Sequence, residues 1–197
     1  MADNQYSKVF GTNTRLTSSF QEIYAPSATG DGKTVVGNLV VTPLDPNNAI
    51  LLDVMITDAS DNMVSMFLDN ASYSRGQGEA LPMVLADGQK VYARVRSDIT
   101  ALTVSAISQA TPAVVTVNST TGLARPSNSL IYLSGEDTTD LSAGFYRAEY
   151  VNSTSFNLKT ILDADQANTT DAGTTGTVTI VPGMIAFHAY EQTIPQE

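Results

Sequence analysis

Cysteine and tryptophan are absent from the 197 residues, histidine occurs once, and 10 basic side chains face 20 acidic ones. Without cysteine there is no disulfide, thiolate metal site or cysteine nucleophile. One histidine cannot form a two-histidine metal site. The net charge of −10 argues against nucleic-acid binding, because neutralising phosphates needs clustered Lys and Arg.

No apolar run approaches the roughly 20 residues that span a bilayer, so we expect no membrane segment. The N-terminal stretch Met1–Gln5 lacks the basic start and apolar core of a signal peptide. We therefore expect synthesis in the cytoplasm of the producing cell.

What the chain does contain favours β structure. Ser and Thr together make up 42 of the residues, and short Val-, Ile- and Leu-rich segments alternate with turns rich in Gly, Asp, Asn and Pro. In 90–96, for example, Val91, Ala93 and Val95 alternate with Tyr92, Arg94 and Arg96. Pro82 indicates an edge strand, because proline cannot donate to a strand ladder.

The spacing of these segments predicts an all-β protein with an antiparallel β-sandwich or jelly-roll-like module followed by a smaller β-barrel-like module. We expect an N-terminal arm at 1–14, the sandwich as a docking module at 15–108 with 101–107 as its last strand, and a small projecting module at 109–183. A terminal strand and tail occupy 184–197. The strand 184–190 fits either module, and its return to the first would make the second an insertion.

Two resemblances accompany this pattern. The segment Leu16–Tyr24, with Leu-Thr-x-x-Phe-x-x-x-Tyr, resembles the opening strand of a small β-sandwich in tailed-bacteriophage virion proteins. Segments of the second module resemble a repeat of phage tail and virion proteins that is named after a half-domain of ubiquitin-activating enzymes: Thr121–Leu123, Ile131–Gly135, Gly144–Ala148 and Ser155–Leu158. Both resemblances imply a structural β module without catalytic residues.

Three motifs could carry chemistry, and each has a plainer interpretation. The segment Gly30–Thr34 ends like a phosphate-binding loop, but it lacks the first glycine and precedes a predicted strand instead of a helix. Asp163, Asp165 and Asp171 could hold Ca²⁺, yet a solvated acidic loop fits their spacing better. His188 would have to serve any Ser–His–Asp triad, and we favour a packed or interface histidine.

Tyr92, Arg94 and Arg96 form the one concentrated basic spot. Cross-strand ion pairing with neighbours such as Asp53 would explain them, and so would a protein interface, because Arg and Tyr are enriched there. We weigh the two interpretations equally.

The sequence therefore predicts a non-enzymatic structural component of a tailed-phage virion, without catalytic, cofactor or metal sites. A decoration or cement protein on the head exterior is favoured over a neck, collar or tail component, or a host glycan- or receptor-binding module. The expected partners are the major capsid protein or neck and tail proteins of the same virion, and further copies of the chain in a homo-oligomer. Nucleic acid and membrane are not expected partners.

Overall fold

The computed structural model describes residues 6–10, 14–26, 33–44, 49–96, 101–120, 129–161 and 167–193. Within these ranges the chain forms fifteen strands and no helix, so no helix there could cross a membrane. The strands are β1 (Tyr6–Phe10), β2 (Thr14–Arg15), β3 (Gln21–Tyr24), β4 (Lys33–Pro43), β5 (Ile50–Thr57), β6 (Met63–Tyr73), β7 (Glu79–Leu85), β8 (Lys90–Val95), β9 (Ala101–Ile107), β10 (Val114–Val117), β11 (Ser129–Ser134), β12 (Gly144–Asn152), β13 (Ser155–Lys159), β14 (Thr177–Ile180) and β15 (Gly183–Thr193). The predicted fold class, an antiparallel sandwich and a small barrel, is confirmed.

The chain divides into two compact units. Unit 1 comprises Met1–Pro43, Ala49–Asp98 and Pro182–Glu197, and unit 2 comprises Leu44–Asn48 and Ile99–Val181. Because unit 1 contains residues on both sides of Ile99–Val181, unit 2 is inserted into it.

Unit 1 is built from two antiparallel sheets. The first has the strand order β1-β15-β4-β7, with β2 also paired to β15, and the second has the order β3-β8-β5-β6. Alternate residues of both sheets, such as Leu39 and Phe187 in the first and Leu52 and Val91 in the second, join one buried core. The prediction that β7 lies at a sheet edge is confirmed.

Unit 2 is a closed barrel with the strand order β10-β13-β12-β11-β14-β9. Its interior is filled by one apolar cluster that includes Val115, Ile131, Leu133, Phe156 and Leu158. The predicted hairpin through Asn152 and Ser153 joins β12 to β13.

Two of the expected boundaries are wrong. The segment 101–107, expected to close the sandwich, is β9 of the barrel, because it pairs with β10 and β14. The segment 184–190 lies in β15, which pairs with β4 from Gly183 to Thr193. The alternative in which this strand returns to the first module is therefore confirmed, and the end of the small module at 183 is wrong by two residues. The sandwich is therefore not a contiguous 15–108 module, and the barrel does not extend to 183.

The expected N-terminal arm also differs from the observed structure. Tyr6–Phe10 is β1, paired antiparallel with β15 in the same chain, since β15 has a second side available beyond β4. Thr14, the last residue of the predicted arm, lies in β2 and also pairs with β15, and residues 1–5 and 11–13 lie outside the described residues.

The chain leaves unit 1 close to where it returns. The Val95 N–H donates to the Thr17 carbonyl at 2.8 Å, and the Leu16 N–H donates to the Gly183 carbonyl at 3.0 Å. Leu16 and Thr17 are consecutive residues, so both ends of the break in unit 1 are held by one short segment.

Candidate interaction surfaces

An ionic strip runs along β8 on the outer side of the second sheet, and Asp53 is at its centre. Asp53 lies on β5 directly opposite Arg94, and its side chain is fully buried. Arg94 Nε donates to Asp53 Oδ2 at 2.9 Å, and Arg96 Nε donates to the same oxygen at 2.7 Å. One carboxylate therefore pairs with two guanidinium groups, both of which remain partly exposed.

Asp53 also stabilises an irregularity in the neighbouring strand. The pairing of β5 with β6 shifts between Leu52 and Val54, and Asn70 on β6 has a φ of +55°. The Asn70 N–H donates to Asp53 Oδ1 at 2.8 Å. Burial raises the pKa of Asp53, but the hydrogen bonds from Arg96, Asn70 and Arg94 together outweigh burial, so the pKa is lowered.

Arg96 and Arg94 each contact a further side chain besides Asp53. Arg96 Nη2 lies 2.5 Å from Asp69 Oδ1, and the Arg94 guanidinium stands 4.5 Å above the Phe20 ring. Arg94 therefore combines an ion pair with a cation–π contact.

The start of the strip is joined to the turn between β5 and β6. The Tyr92 hydroxyl donates to Asp61 at 2.8 Å and lies 3.1 Å from Glu22, while Lys90 Nζ donates to Asp61 at 2.7 Å. Burial, followed by the hydrogen bonds to Asp61 and Glu22, raises the pKa of Tyr92.

Tyr92, Arg94 and Arg96 thus lie on one face of the second sheet, as the sequence indicates. Arg94 and Arg96 form the cross-strand ion pairs with Asp53 that the sequence analysis considered. Their role at a protein interface stays a prediction. Sequence reasoning did not find Phe20, Asp61 or Asp69 as partners, because they come from turns and strand irregularities that alternation does not reveal.

The glycine-rich segment before β4 and the candidate Ca²⁺ ligands have structural roles wherever they lie within the described residues. Lys33 begins β4, so a strand and not a helix follows the glycines, as predicted. The Asp171 carboxylate accepts hydrogen bonds from the Thr139 N–H and hydroxyl, both at 3.0 Å to Oδ2. Asp163 and Asp165 lie outside the described residues.

Aspartate–threonine contacts of this kind recur in unit 2. Asp137 accepts hydrogen bonds from the N–H groups of Thr174 and Thr175, at 2.8 and 3.1 Å, and Asp140 accepts one from the Thr170 N–H at 2.6 Å. The hydrogen bonds from Thr175 and Thr174 lower the pKa of Asp137, and those from the Thr170 hydroxyl and N–H lower the pKa of Asp140. The acidic loops are tied to each other, and no cluster of metal-ligating side chains occurs within the described part of the chain.

A second surface, which the sequence analysis did not identify, covers the outer side of the first sheet. Tyr190, Val36 and Val84 are in direct register across β15, β4 and β7, and between 48% and 66% of each side chain is exposed. His188, Asn38 and Pro82 form the next row, also exposed.

We call this surface the uncharged face; it comprises Val36, Asn38, Val40, Thr42, Ala80, Pro82, Val84, Met184, His188 and Tyr190. None of these residues is Asp, Glu, Lys or Arg. The neighbouring ladder positions on β1 and β2 hold Lys8, opposite Tyr190, and Arg15, opposite Met184. The face is therefore free of acidic residues in a chain with 20 of them.

Known proteins resemble this chain only distantly. No protein family and no curated protein matches the chain. One solved structure, titled "The 2.6A structure of Infectious Bursal Virus Derived T=1 Particles", is similar to it at 9% identity and a TM-score of 0.34. The match covers 98% of this chain but 41% of that protein, so the chain spans about two fifths of its length.

Proposed function

We propose that this chain is a non-enzymatic structural component of a tailed-phage virion, made in the host cytoplasm and bound to the head exterior as a decoration or cement protein. The uncharged face of the first sheet is the surface that contacts the major capsid protein. The resemblance of Leu16–Tyr24 to a phage virion β-sandwich supports the class of protein.

The row Tyr190–Val36–Val84 is the observation that carries the proposal. The outer side of a sandwich sheet is normally polar, with apolar residues turned to the core. Here three large apolar side chains from three strands are adjacent and exposed. Contiguous exposed apolar patches mark interaction sites, and aromatic residues are enriched in them.

The distribution of charge favours the same face. A protein of net charge −10 repels acidic partners over most of its surface. The uncharged face is where a neutral, apolar partner surface can approach without meeting an acid. A structural protein that stays bound to one partner needs a broad contact surface such as this face, whereas an enzyme needs a cleft.

Val36→Lys tests this proposal, with Val151→Lys as the matched control. Val36 and Val151 are both valines on strands and are 48% and 47% exposed, but Val151 belongs to unit 2. The variants are supplied to cells infected with a virus whose own copy of the gene is deleted. Their abundance in purified particles is then measured by quantitative mass spectrometry.

We expect Val36→Lys to reduce incorporation at least tenfold, since a lysine ammonium cannot be buried unpaired at a contact. Val151→Lys should be incorporated like the native chain. Equal incorporation of both variants, with both folded by circular dichroism, would refute the assignment of the face. If Val36→Lys is incorporated normally but no longer binds host polysaccharide or receptor, the uncharged face would serve host recognition and not attachment to the capsid protein.

A further inference from the structure

We propose that two copies of this chain associate by antiparallel pairing of β6 with β6, which joins the second sheets of two molecules into one. This inference concerns a different sheet from the uncharged face and does not depend on the proposed function.

β6 is an edge strand of unusual character. It has eleven residues and, within the described part of the chain, pairs with β5 alone. The unpaired side of such a strand presents N–H and C=O groups that can template another strand. Its first half, Met63–Leu68, contains no charged residue, no proline and no glycine.

Three of the apolar side chains of this half are also exposed, whereas Phe67 and Leu68 are partly buried against the core. Met63, Val64 and Met66 are 63%, 53% and 37% exposed. A six-residue segment with strand propensity, no charge and no proline is the usual signature of strand-to-strand association.

The other sheet edges of unit 1 are protected in ways that β6 is not. β3 and β1 are short, with four and five residues, and β7 carries Pro82. Short edge strands and proline are common means of preventing association at an edge. β6 has two register shifts against β5 in this half, at Val54/Met55 and Ile56/Thr57, which increase its local twist but leave its outer side without a strand partner among the described residues.

A second copy is the partner that charge and symmetry favour. Two chains of net charge −10 can meet where neither presents an acid, and an antiparallel strand pair is compatible with the two-fold axis of a dimer. Opposite residues then share a face, and only the residue on the two-fold axis lies opposite its own copy.

The acids flanking the segment select the centre of pairing. Pairing centred on Ser65 would set Asp61 of one copy opposite Asp69 of the other, and like charges opposite each other are destabilising. Pairing centred on Met66 avoids this: Val64 then faces Leu68 of the second copy. We therefore place Met66 on the two-fold axis.

The absence of cysteine makes a direct test available. Opposite residues of an antiparallel pair have Cα atoms about 4.5 to 5.5 Å apart, within the range for a disulfide. Met66→Cys should form an intermolecular disulfide under mild oxidation, with at least tenfold more dimer on non-reducing gels than Val84→Cys. Val84 is an exposed control on β7, the edge strand that contains Pro82.

The native chain should sediment with two chain masses at micromolar concentration. Met66→Lys should shift it to one chain mass, while Val84→Lys should not. A native chain that stays monomeric, or equal disulfide yields from Met66→Cys and Val84→Cys, would overturn the proposal. Normal incorporation of a monomeric Met66→Lys chain into particles would leave the proposed function intact, so the two proposals fail independently.

Discussion

Replacing Asp53 by Asn removes the buried negative charge that faces Arg94 and Arg96, and we expect this to lower the free energy of unfolding of unit 1. Breaking a fully buried ion pair costs about 3 to 5 kcal/mol. Here the two guanidinium groups are more than a third exposed and can regain water, and an Asn carbonyl can still accept the Asn70 N–H. We therefore expect a loss of about 2 to 3 kcal/mol, close to one or two charged hydrogen bonds.

The pH dependence identifies the charge as the cause. The pKa of Asp53 is lower in the folded chain than its ordinary value of 3.8. The stabilisation is therefore fully present above that ordinary value and is lost as the pH falls through the lower folded pKa. Because Asn does not titrate, the difference between native and variant should be largest near pH 7 and should shrink at about pH 3.

Urea unfolding at both pH values measures this difference, and hydrogen exchange of peptides from β5 and β8 assigns it to unit 1. Asp58→Asn is the control, because Asp58 is a partly exposed turn residue that accepts hydrogen bonds from Ser60 and Asn62. Its substitution should destabilise unit 1 less than Asp53→Asn does. A loss below about 1 kcal/mol for Asp53→Asn, or one that is the same at both pH values, would refute the reasoning.

Three further predictions concern the two units. Replacing 99–181 by a short flexible linker should leave unit 1 folded, because hydrogen bonds hold both ends of its break to one segment, and 99–181 alone should fold because it contains all six strands of the closed barrel; an unfolded circular dichroism spectrum for either piece would contradict this. Gly37→Ala should lower the melting temperature strongly, because its Cβ would lie 2.5 Å from a backbone carbonyl oxygen of β15, whereas Gly78→Ala meets nothing closer than 3.6 Å; equal melting temperatures would contradict the close approach. Asp137→Asn should destabilise unit 2 at neutral pH but not below the folded pKa, which hydrogen bonds hold under 3.8, and hydrogen exchange at the two pH values measures this; a pH-independent effect would count against it.

The sequence predicts the local features of the fold well. The alternation of Val91, Ala93 and Val95 with Tyr92, Arg94 and Arg96 correctly separates buried from outward side chains. Turn residues and apolar alternation are local signals, so they determine where strands begin and which face is buried.

Strand partners were harder to predict, because a strand's periodicity does not record its neighbour. Ala101–Ile107 continues the spacing of the earlier strands, yet it pairs with β10 and β14 in the barrel. Similarly, β15 suits either unit by composition, and only its register with β4 assigns it to unit 1.

The candidate surfaces follow the same rule. The ionic strip was predictable in part, because Arg94 and Arg96 share one strand face and Asp53 interrupts an apolar strand. The uncharged face was not, since Val36, Val84 and Tyr190 lie far apart along the chain and become adjacent only through the register of three strands. The absence of charge at alternate positions of β4 and β7 is the signal that could have indicated it.

The central claim, that this chain is a structural part of a virion, is tested most directly by counting it in purified particles. Quantitative mass spectrometry would give its copies relative to the major capsid protein of the virus that encodes it. We predict a copy number close to that of the capsid protein, as expected for a head decoration. A small copy number, typical of a ring, would assign the chain to the neck or tail. Absence from particles that are otherwise complete would contradict the account.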